Sequence, residues 1–248
     1  MMAKQQWGEN LPGKTASSTV YDILHRNIIN LNLIPGTVMS EKDISDRMKV
    51  SRTPVREAFI RLSNEALVTV VPQKGSFVSR IDLTRVKEER FLRESLETSV
   101  LYDLIKHHEK LKMYDLYENV EEQEEALRKG ETTRFIELDD EFHSMLFKKA
   151  DKSMCYNVIM SFSSHYRRVR YLSMSVSGVS LSNLKHHQEM LELIKARDLE
   201  KTVKVMKTHL RKLNIEKDVI YQKYADYFVD NKALDLVDEK ELFQDFNR

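Results

Sequence analysis

The chain has little of several residue types, and each scarcity excludes a class of structure. Its 248 residues include a single cysteine, Cys155, so an internal disulfide is impossible and a reducing cytosol is the expected environment. Six glycines and four prolines are few for this length, which is typical of a helical protein. The sequence has no apolar run near the length of a membrane span, and its first ten residues lack the apolar core of a signal peptide, so we expect no membrane partner.

Positive charge is unevenly distributed along the chain. The whole sequence has a formal net charge of +1, from 40 Lys and Arg against 39 Asp and Glu. Residues 42–80 contain eight basic and four acidic residues, a local balance of +4. Local positive charge favours nucleic acid as a partner, because each phosphate that it neutralises releases counterions.

Two short helices are predicted within this basic segment. Ser40 and Asp43 have the spacing of an N-cap and capping-box pair, which predicts a helix through Met48. A second helix follows, with Ser51 or Thr53 as the cap; Pro54 lies in its first turn, where the missing N–H costs nothing. The short connection between the two helices is typical of a helix-turn-helix.

The second helix has the features of a recognition helix. Val55, Phe59 and Leu62 follow at i, i+4 and i+7, which predicts a buried stripe. Arg52 and Arg56 share a neighbouring stripe at the N-terminal end, from which recognition helices reach base edges. Arginine is the side chain best shaped to bind guanine and phosphate. Taken alone, two arginines at this spacing are more often part of an ordinary surface helix.

A basic hairpin after this helix favours the DNA-binding interpretation. Residues 67–71 and 76–78 are predicted strands around a Pro-Gln-Lys-Gly turn, with Lys74 at the tip, where it can contact the sugar-phosphate backbone. A helix-turn-helix followed by such a hairpin is a winged helix.

Residues 20–81 resemble the winged helix of GntR-family bacterial transcriptional regulators. The stretch PGTVMSEKDISDRMKVSRTPVREAFIRL is close to the family signature, and its SRTPVREA core is highly specific. The sequence departs from the family at Ala66, where glycine is usual, before the first wing strand. The resemblance implies a double-stranded operator DNA as partner, with contacts from Lys42, Ser51, Arg52, Thr53, Arg56, Lys74 and Gly75.

From residue 82 onward the sequence predicts consecutive amphipathic helices, over residues 82–106, 109–129, 132–149, 153–174, 181–196 and 199–224. The fold class is therefore mainly all-α, a winged helix-turn-helix of three helices and a small hairpin followed by an antiparallel bundle of six or seven helices. We expect a DNA-binding domain over 14–80, an effector-binding and dimerisation domain over 82–225, and an acidic extension over 226–248, helical in part.

Four residues of the helical part have spacings that suit a metal site. Asp139 and His143 are four apart, so they project from one face of a helix. His187 and His209 each lie eleven residues from the predicted helix break at Asp198, so an antiparallel hairpin places them level. Eight histidines are present, so such a pair can arise by chance; Asp140 and His186 would be selected instead after a one-residue register error.

Residues 82–213 resemble the all-helical effector domain (FCD) of the FadR branch of the GntR family. The D-x-x-x-H of LDDEFH and the later pair of histidines match the positions of its metal-binding subset. The resemblance implies that Asp139, His143, His187 and His209 bind one divalent metal per chain, with Zn²⁺ the first choice and Ni²⁺, Mn²⁺ or Fe²⁺ as alternatives.

The FCD resemblance also indicates residues for a small carboxylate effector. Arg93 matches a family arginine and either faces the effector pocket or forms a surface ion pair with Glu97. Tyr166, Arg167 and Arg170 are weaker candidates for lining that pocket.

The sequence thus predicts a ligand-responsive transcriptional regulator, in particular a repressor that binds an inverted-repeat operator as a homodimer. The alternative is a metal-dependent hydrolase or lyase with a DNA-localising module. No H-E-x-x-H, nucleophile elbow or phosphate-binding glycine loop occurs, which disfavours an enzyme.

Overall fold

A computed structural model of the protein describes residues 15–106, 112–174, 179–211 and 213–229, without the side chains of 213–218. Its N-terminal part contains three helices and three strands: α1 (Ala16–Ile29), β1 (Val38–Met39), α2 (Glu41–Met48), α3 (Arg52–Asn64), β2 (Val68–Val71) and β3 (Gly75–Val78). The predicted winged helix-turn-helix is confirmed.

The two predicted caps have different structures. The Ser40 hydroxyl accepts a hydrogen bond from the Asp43 amide at 3.3 Å, as expected of an N-cap. Ser51 is the N-cap of α3 by backbone conformation, but its side chain makes no capping hydrogen bond. The α3 stripe of Val55, Phe59 and Leu62 is buried, so the opposite face of the helix is presented to solvent.

The wing is a three-stranded antiparallel sheet in the order β1-β3-β2. The predicted hairpin pairs Val68 with Val78 and Val71 with Gly75. Strand β1, in which Val38 pairs with Phe77, was not predicted from the sequence. Two residues show no periodicity, so only the tertiary contact reveals this strand.

The helical part contains eight described helices, which confirms the mainly helical fold class: α4 (Leu83–Lys106), α5 (Tyr114–Lys129), α6 (Thr132–Lys149), α7 (Ser153–Ser161), α8 (Ser164–Ser173), α9 (Val179–Lys195), α10 (Leu199–Arg211) and α11 (Leu213–Tyr224). Asp82 caps α4 by accepting a hydrogen bond from the Thr84 amide at 2.8 Å. Gly130 ends α5 in the left-handed conformation, with φ of 71°.

Two boundaries differ from the prediction. The helix expected over 153–174 is divided into α7 and α8, although no glycine or proline marks the break at Phe162 and Ser163. Residues 199–211 and 213–224 are helical, as expected, and residue 212 lies outside the described residues. Helix α5 begins at Tyr114 rather than near residue 109. Apolar periodicity continues across the break between α7 and α8, so the pattern could not locate it.

Three apolar cores organise the described residues. One lies inside the winged helix, around Leu24, Val55 and Leu62, and the largest lies inside the helical bundle, around Leu101 and Phe142. The third joins the two parts and contains Ile81, Val86, Tyr166, Val169, Leu172, Ile220 and Phe228.

The end of the described chain contributes to this third core. Phe228 forms a parallel bridge with Ile81, in which the Ile81 amide donates to the Tyr227 carbonyl at 2.8 Å and the Val229 amide donates to the Ile81 carbonyl at 3.0 Å. The helix predicted for the acidic extension falls on residues after 229, which lie outside the described residues. A 3-10 turn, Ala225–Tyr227, lies where the extension begins. None of the helices in the described ranges is both long and apolar enough to span a bilayer.

Candidate metal centre and nucleic-acid interface

The structure brings the four predicted metal ligands together from three helices. Asp139 and His143 lie one turn apart on α6, His187 on α9 and His209 on α10. One potential ligand atom of each lies within 4.8 Å of those of the others. Three of the side chains are fully buried and His209 is 7% exposed.

The α9–α10 hairpin explains why the two later histidines meet. The chain reverses at Arg197, whose φ of 59° is left-handed, and α10 begins two residues later. His187 and His209, nearly equidistant from this turn, have ring centroids 4.6 Å apart. The neighbouring His186 is half-buried and its ring centroid lies 5.9 Å from that of His209.

Polar atoms of the four side chains lie close together, and some of them have no hydrogen-bond partner. His143 Nε2 lies 3.2 Å from His209 Nε2, and Asp139 Oδ1 lies 3.7 Å from His187 Nε2 and 3.9 Å from His209 Nε2. Asp139 Oδ1, His187 Nε2 and His209 Nδ1 make no hydrogen bond. Buried polar atoms are normally paired, and three imidazoles with one carboxylate form a donor set that suits a divalent transition metal.

Burial keeps two of these histidines in the form that can coordinate a metal. Loss of solvation lowers the pKa of His187 to about 3 and lowers the pKa of His209 well below its usual value. Both imidazoles are therefore neutral at neutral pH, and only neutral imidazole has a lone pair for a metal.

Two buried arginines surround the carboxylates of the site. Arg170 donates to Asp139 Oδ2 at 2.5 Å and to Asp140 Oδ1 at 2.6 Å. Arg93 donates to Glu97 at 2.5 Å, so the ion pair considered as an alternative is present, but both side chains are almost completely buried and the pair is not on the surface. Arg93 Nη2 has no hydrogen-bond partner, which leaves a buried donor that an anion could use.

The weaker pocket candidates lie in different places. Tyr166 has its ring centroid 5.7 Å from the Arg93 guanidinium carbon and its hydroxyl 3.4 Å from the Leu210 carbonyl. Arg167 lies farther out, 3.5 Å from Asp140, and lines a cavity of about 240 Å³ between α1, α6 and α8 with Arg170. Asp140 is thus held by arginines and does not belong to the ligand cluster.

Helix α8 connects the helical bundle with the winged helix, which sequence reasoning missed. Ser164 Oγ donates to the Glu65 carbonyl at the end of α3 at 2.8 Å. Arg168, fully buried, donates to the Ser79 carbonyl at 2.5 Å. His165 Nδ1 accepts a hydrogen bond from the Asp82 amide at 2.9 Å. No local pattern could identify these contacts, because their partners are 83 to 99 residues away.

The predicted DNA contacts are all exposed on the winged helix, at Lys42, Ser51, Arg52, Thr53, Arg56, Lys74 and Gly75. Arg56 makes a bidentate ion pair with Glu41 at 3.1 and 3.2 Å, with two-thirds of the arginine side chain exposed. Lys74 lies in the wing turn between Gln73 and Gly75, whose φ values are 63° and 105°.

Ala66 lies in the left-handed region, with φ of 56°. An L-residue pays a steric cost there that glycine avoids, which is the physical consequence of the departure from the GntR pattern.

Comparisons with known protein families agree with this two-part architecture. A family model described as "Bacterial regulatory proteins, gntR family" matches residues 16–78, and the FCD domain model matches residues 90–212. FCD domains are known for metal binding, and here the match contains the buried Asp and His cluster.

Two curated relatives and two solved structures illustrate the similarity. The HTH-type transcriptional repressor RspR of Escherichia coli (strain K12) is 32% identical over 217 residues, 88% of this chain and 95% of that protein. A transcriptional regulator from an unstable DNA locus of Streptomyces ambofaciens is 32% identical over 199 residues, 80% and 84% of the two chains. In fold, the chain is similar to E. coli McbR/YncC (TM-score 0.70, 20% identity, 85% and 99% covered) and to a GntR regulator from Rhodococcus sp. RHA1 (0.67, 23%, 84% and 97%).

Proposed function

The chain belongs to the GntR family of bacterial regulatory proteins and carries an FCD effector domain, and from this premise we propose that it represses transcription in the bacterial cytoplasm in response to a small organic acid. Like its relatives, it is a DNA-binding transcriptional regulator and not an enzyme. Repression is supported by the E. coli relative, which is itself a repressor. We propose domains over 14–80 and 82–225, with an extension over 226–248.

We propose that α3 enters the major groove and that the wing contacts the adjacent backbone. Arg52 and Arg56 at the start of α3 would read bases, while Lys74 would bind phosphate. The ion pair of Arg56 with Glu41 is exposed and screened by solvent, so breaking it costs little and Arg56 can exchange it for DNA.

A single winged helix covers few base pairs, which supports a homodimer on a two-fold symmetric operator. A surface suited to a second copy lies on α4 and α7. Phe91 and Tyr102 of α4 are 70% and 57% exposed, and Met154 of α7 and Phe162 at the C-cap of α7 are 71% and 58% exposed. Exposed apolar side chains grouped on adjacent helices are typical of an interaction surface.

The two helices carrying these side chains are in contact, and an ion pair between Lys152 and Asp103 joins them. Ser95 and Ser99 lie between the two α4 aromatics on the same exposed stripe, and small residues there would let two helices approach closely. We propose that this surface forms the homodimer.

The homodimer is tested by light scattering of the Phe91→Glu variant at micromolar concentration. We expect a monomer, because the interface would have to bury a charge. Val219→Glu, which places the same charge at a 53% exposed position on α11, is the control and should remain dimeric. A dimeric Phe91→Glu protein would refute this surface.

We propose that Asp139, His143, His187 and His209 hold one divalent metal, Zn²⁺ as first choice and Ni²⁺, Mn²⁺ or Fe²⁺ as alternatives. When bound, the metal would supply positive charge that attracts a carboxylate. Arg93 would donate its unpartnered Nη2 to the same effector. The convergence of these four buried side chains, in a chain that begins with a winged helix, is the observation that carries the proposal.

Helix α8 provides a physical route from this site to DNA. On one side Arg170 holds Asp139; on the other, Ser164 contacts the end of the recognition helix and Arg168 the connecting segment at Ser79. A shift of α8 on effector binding would therefore move the winged helix. Effector and DNA affinities would then be coupled reciprocally, typically by about 1–3 kcal/mol.

The decisive experiment combines metal analysis with operator binding. We expect elemental analysis of the purified protein to give one metal per chain, lost on chelation and regained on reconstitution. His187→Gln/His209→Gln should abolish both metal uptake and effector response, while DNA binding persists. His186→Gln is the matched control and should behave as wild type. A wild type that takes up no metal, or a double variant that takes up as much, would overturn the metal site.

A further inference from the structure

Two of the three clustered histidines have a buried polar partner close to Nδ1, His187 through a hydrogen bond and His143 through a close contact with a carboxylate. His187 Nδ1 lies 2.7 Å from Gln123 Oε1, and His143 Nδ1 lies 2.6 Å from Glu97 Oε2. Gln123 and Glu97 are buried on α5 and α4, and neither is a proposed ligand. These partners decide which ring nitrogen carries the proton, and hence which one can coordinate a metal.

A chain of three hydrogen bonds determines the tautomer of His187. Asn119 Nδ2 lies 3.2 Å from the Leu138 carbonyl oxygen, which can only accept. Asn119 must therefore donate there, and its Oδ1 accepts from Gln123 Nε2 at 2.7 Å. Gln123 then presents Oε1 to His187, so His187 Nδ1 must donate the proton. The backbone carbonyl of Leu138 thus sets the direction of the whole chain, and the lone pair of His187 lies on Nε2.

A charged pair determines the tautomer of His143 in the same way. Arg93 donates to Glu97 Oε1 at 2.5 Å and keeps this buried carboxylate ionised, and an ionised carboxylate can only accept. His143 Nδ1 lies 2.6 Å from Glu97 Oε2 without the alignment of a hydrogen bond, but a nitrogen lone pair so close to an ionised carboxylate would be repelled, so His143 Nδ1 carries the proton. The lone pair of Nε2 consequently faces His209 and Asp139.

We propose that Glu97 and Gln123 are positioning residues that hold His143 and His187 as Nδ1–H tautomers, so that both Nε2 lone pairs point into the site before a metal arrives. The tautomers exist in the metal-free protein too. Only their purpose, which is to orient lone pairs toward a metal, rests on the proposed metal site. His209 Nδ1 has no such partner among the described residues, so His209 donates from Nε2 to His143 in the absence of metal and must move this proton to coordinate through Nε2.

The tautomers are measured by long-range ¹H–¹⁵N correlation spectra of the chelated protein with ¹⁵N-labelled histidine. The His143→Gln and His187→Gln variants assign the signals. We expect Nδ1–H forms for His143 and His187 in wild type. Nε2–H forms for either would overturn the proposal, whatever the protein does with metal.

The isosteric variant Glu97→Gln gives the sharpest test. Its amide oxygen must accept from Arg93, so its NH₂ group faces His143 Nδ1 and forces the Nε2–H tautomer. We expect the His143 signals to change to that form, and Zn²⁺ affinity measured by chelator competition to fall by about 10- to 100-fold. Glu88→Gln, an equal charge change at an exposed position of α4, should leave both unchanged.

The variant Gln123→Met tests the second partner independently. It removes the acceptor for His187 Nδ1–H with little change of volume, and we expect Zn²⁺ affinity to fall by about 10-fold or more. Wild-type spectra and wild-type affinity in both variants would refute the positioning role. A wild type with the expected tautomers but no metal uptake would refute the proposed metal site and leave the tautomer assignment standing.

Discussion

Replacing Arg170 with methionine should separate the stability of the folded protein from its response to metal. Arg170 is 6% exposed and makes two short charged hydrogen bonds, to Asp139 and Asp140. Methionine fills similar volume without the charge, so the variant buries two carboxylates that lack their main cation. Breaking a buried ion pair in this way costs about 3–5 kcal/mol, and we expect the free energy of unfolding of the chelated protein to fall by that amount.

Added Zn²⁺ should reverse much of this loss. A metal bound by Asp139 replaces the positive charge that Arg170 supplied, and it stabilises the fold by an amount set by its concentration over Kd. We therefore expect the stabilisation by saturating Zn²⁺ to be larger in Arg170→Met than in wild type by about 1–3 kcal/mol, the coupling typical of groups in one charged network.

Urea unfolding followed by far-ultraviolet circular dichroism, with chelator and then with excess Zn²⁺, measures both quantities. Arg167→Met is the matched control, because Arg167 makes a single 3.5 Å contact with Asp140 and is 18% exposed; it should lose less than about 1 kcal/mol. A chelated Arg170→Met protein as stable as the control, or equal stabilisation of the variant and wild type by Zn²⁺, would refute the reasoning.

Three further predictions concern other parts of the molecule. Arg56→Ala should weaken operator binding by about 1–3 kcal/mol at matched salt, measured by fluorescence anisotropy; unchanged affinity would contradict the role of α3. Ala66→Gly should raise the free energy of unfolding by about 0.5–1 kcal/mol, since glycine relieves the left-handed backbone, and a decrease would show that the alanine methyl matters more. Burial lowers the pKa of His165 to about 3, below its value near 6.5 in the unfolded chain. The unfolded state therefore binds more protons in acid, and the free energy of unfolding falls as the pH drops from about 6.5 towards 3. The His165→Asn variant keeps an acceptor for the Asp82 amide. Between pH 7 and 5 its free energy of unfolding should fall by about 2 kcal/mol less than that of wild type, and an equal fall would exclude His165 as the source of the pH dependence.

The local features of the winged helix could be predicted because their signals are close in sequence. The Ser40 cap, Pro54 in the first turn of α3 and the buried stripe of Val55 and Phe59 depend on neighbours within one or two turns. Strand β1 escaped prediction because its two residues are defined only by pairing with β3, nearly forty residues later. The break between α7 and α8 escaped for a similar reason, since packing and not a breaker residue places it.

Sequence spacing also determined which residues could meet at the metal site. Two side chains four apart on one helix share a face, and two placed symmetrically about a helical turn lie level, whatever surrounds them. These rules made Asp139, His143, His187 and His209 candidates, and the resemblance to the FCD domain favoured them over Asp140 and His186; the structure places these four together.

Only the tertiary structure decided what surrounds that point. Glu97, Gln123 and Arg170 come from three other helices, and whether each faces the cluster depends on how those helices rotate and pack. Helix periodicity gives the face of a residue but not the partner across from it. The sequence, through its local patterns and its family resemblance, therefore determined the winged helix and the four candidate ligands. Packing decided their protonation, their counter-charges and the contact of α8 with α3, because these depend on side chains far apart in sequence.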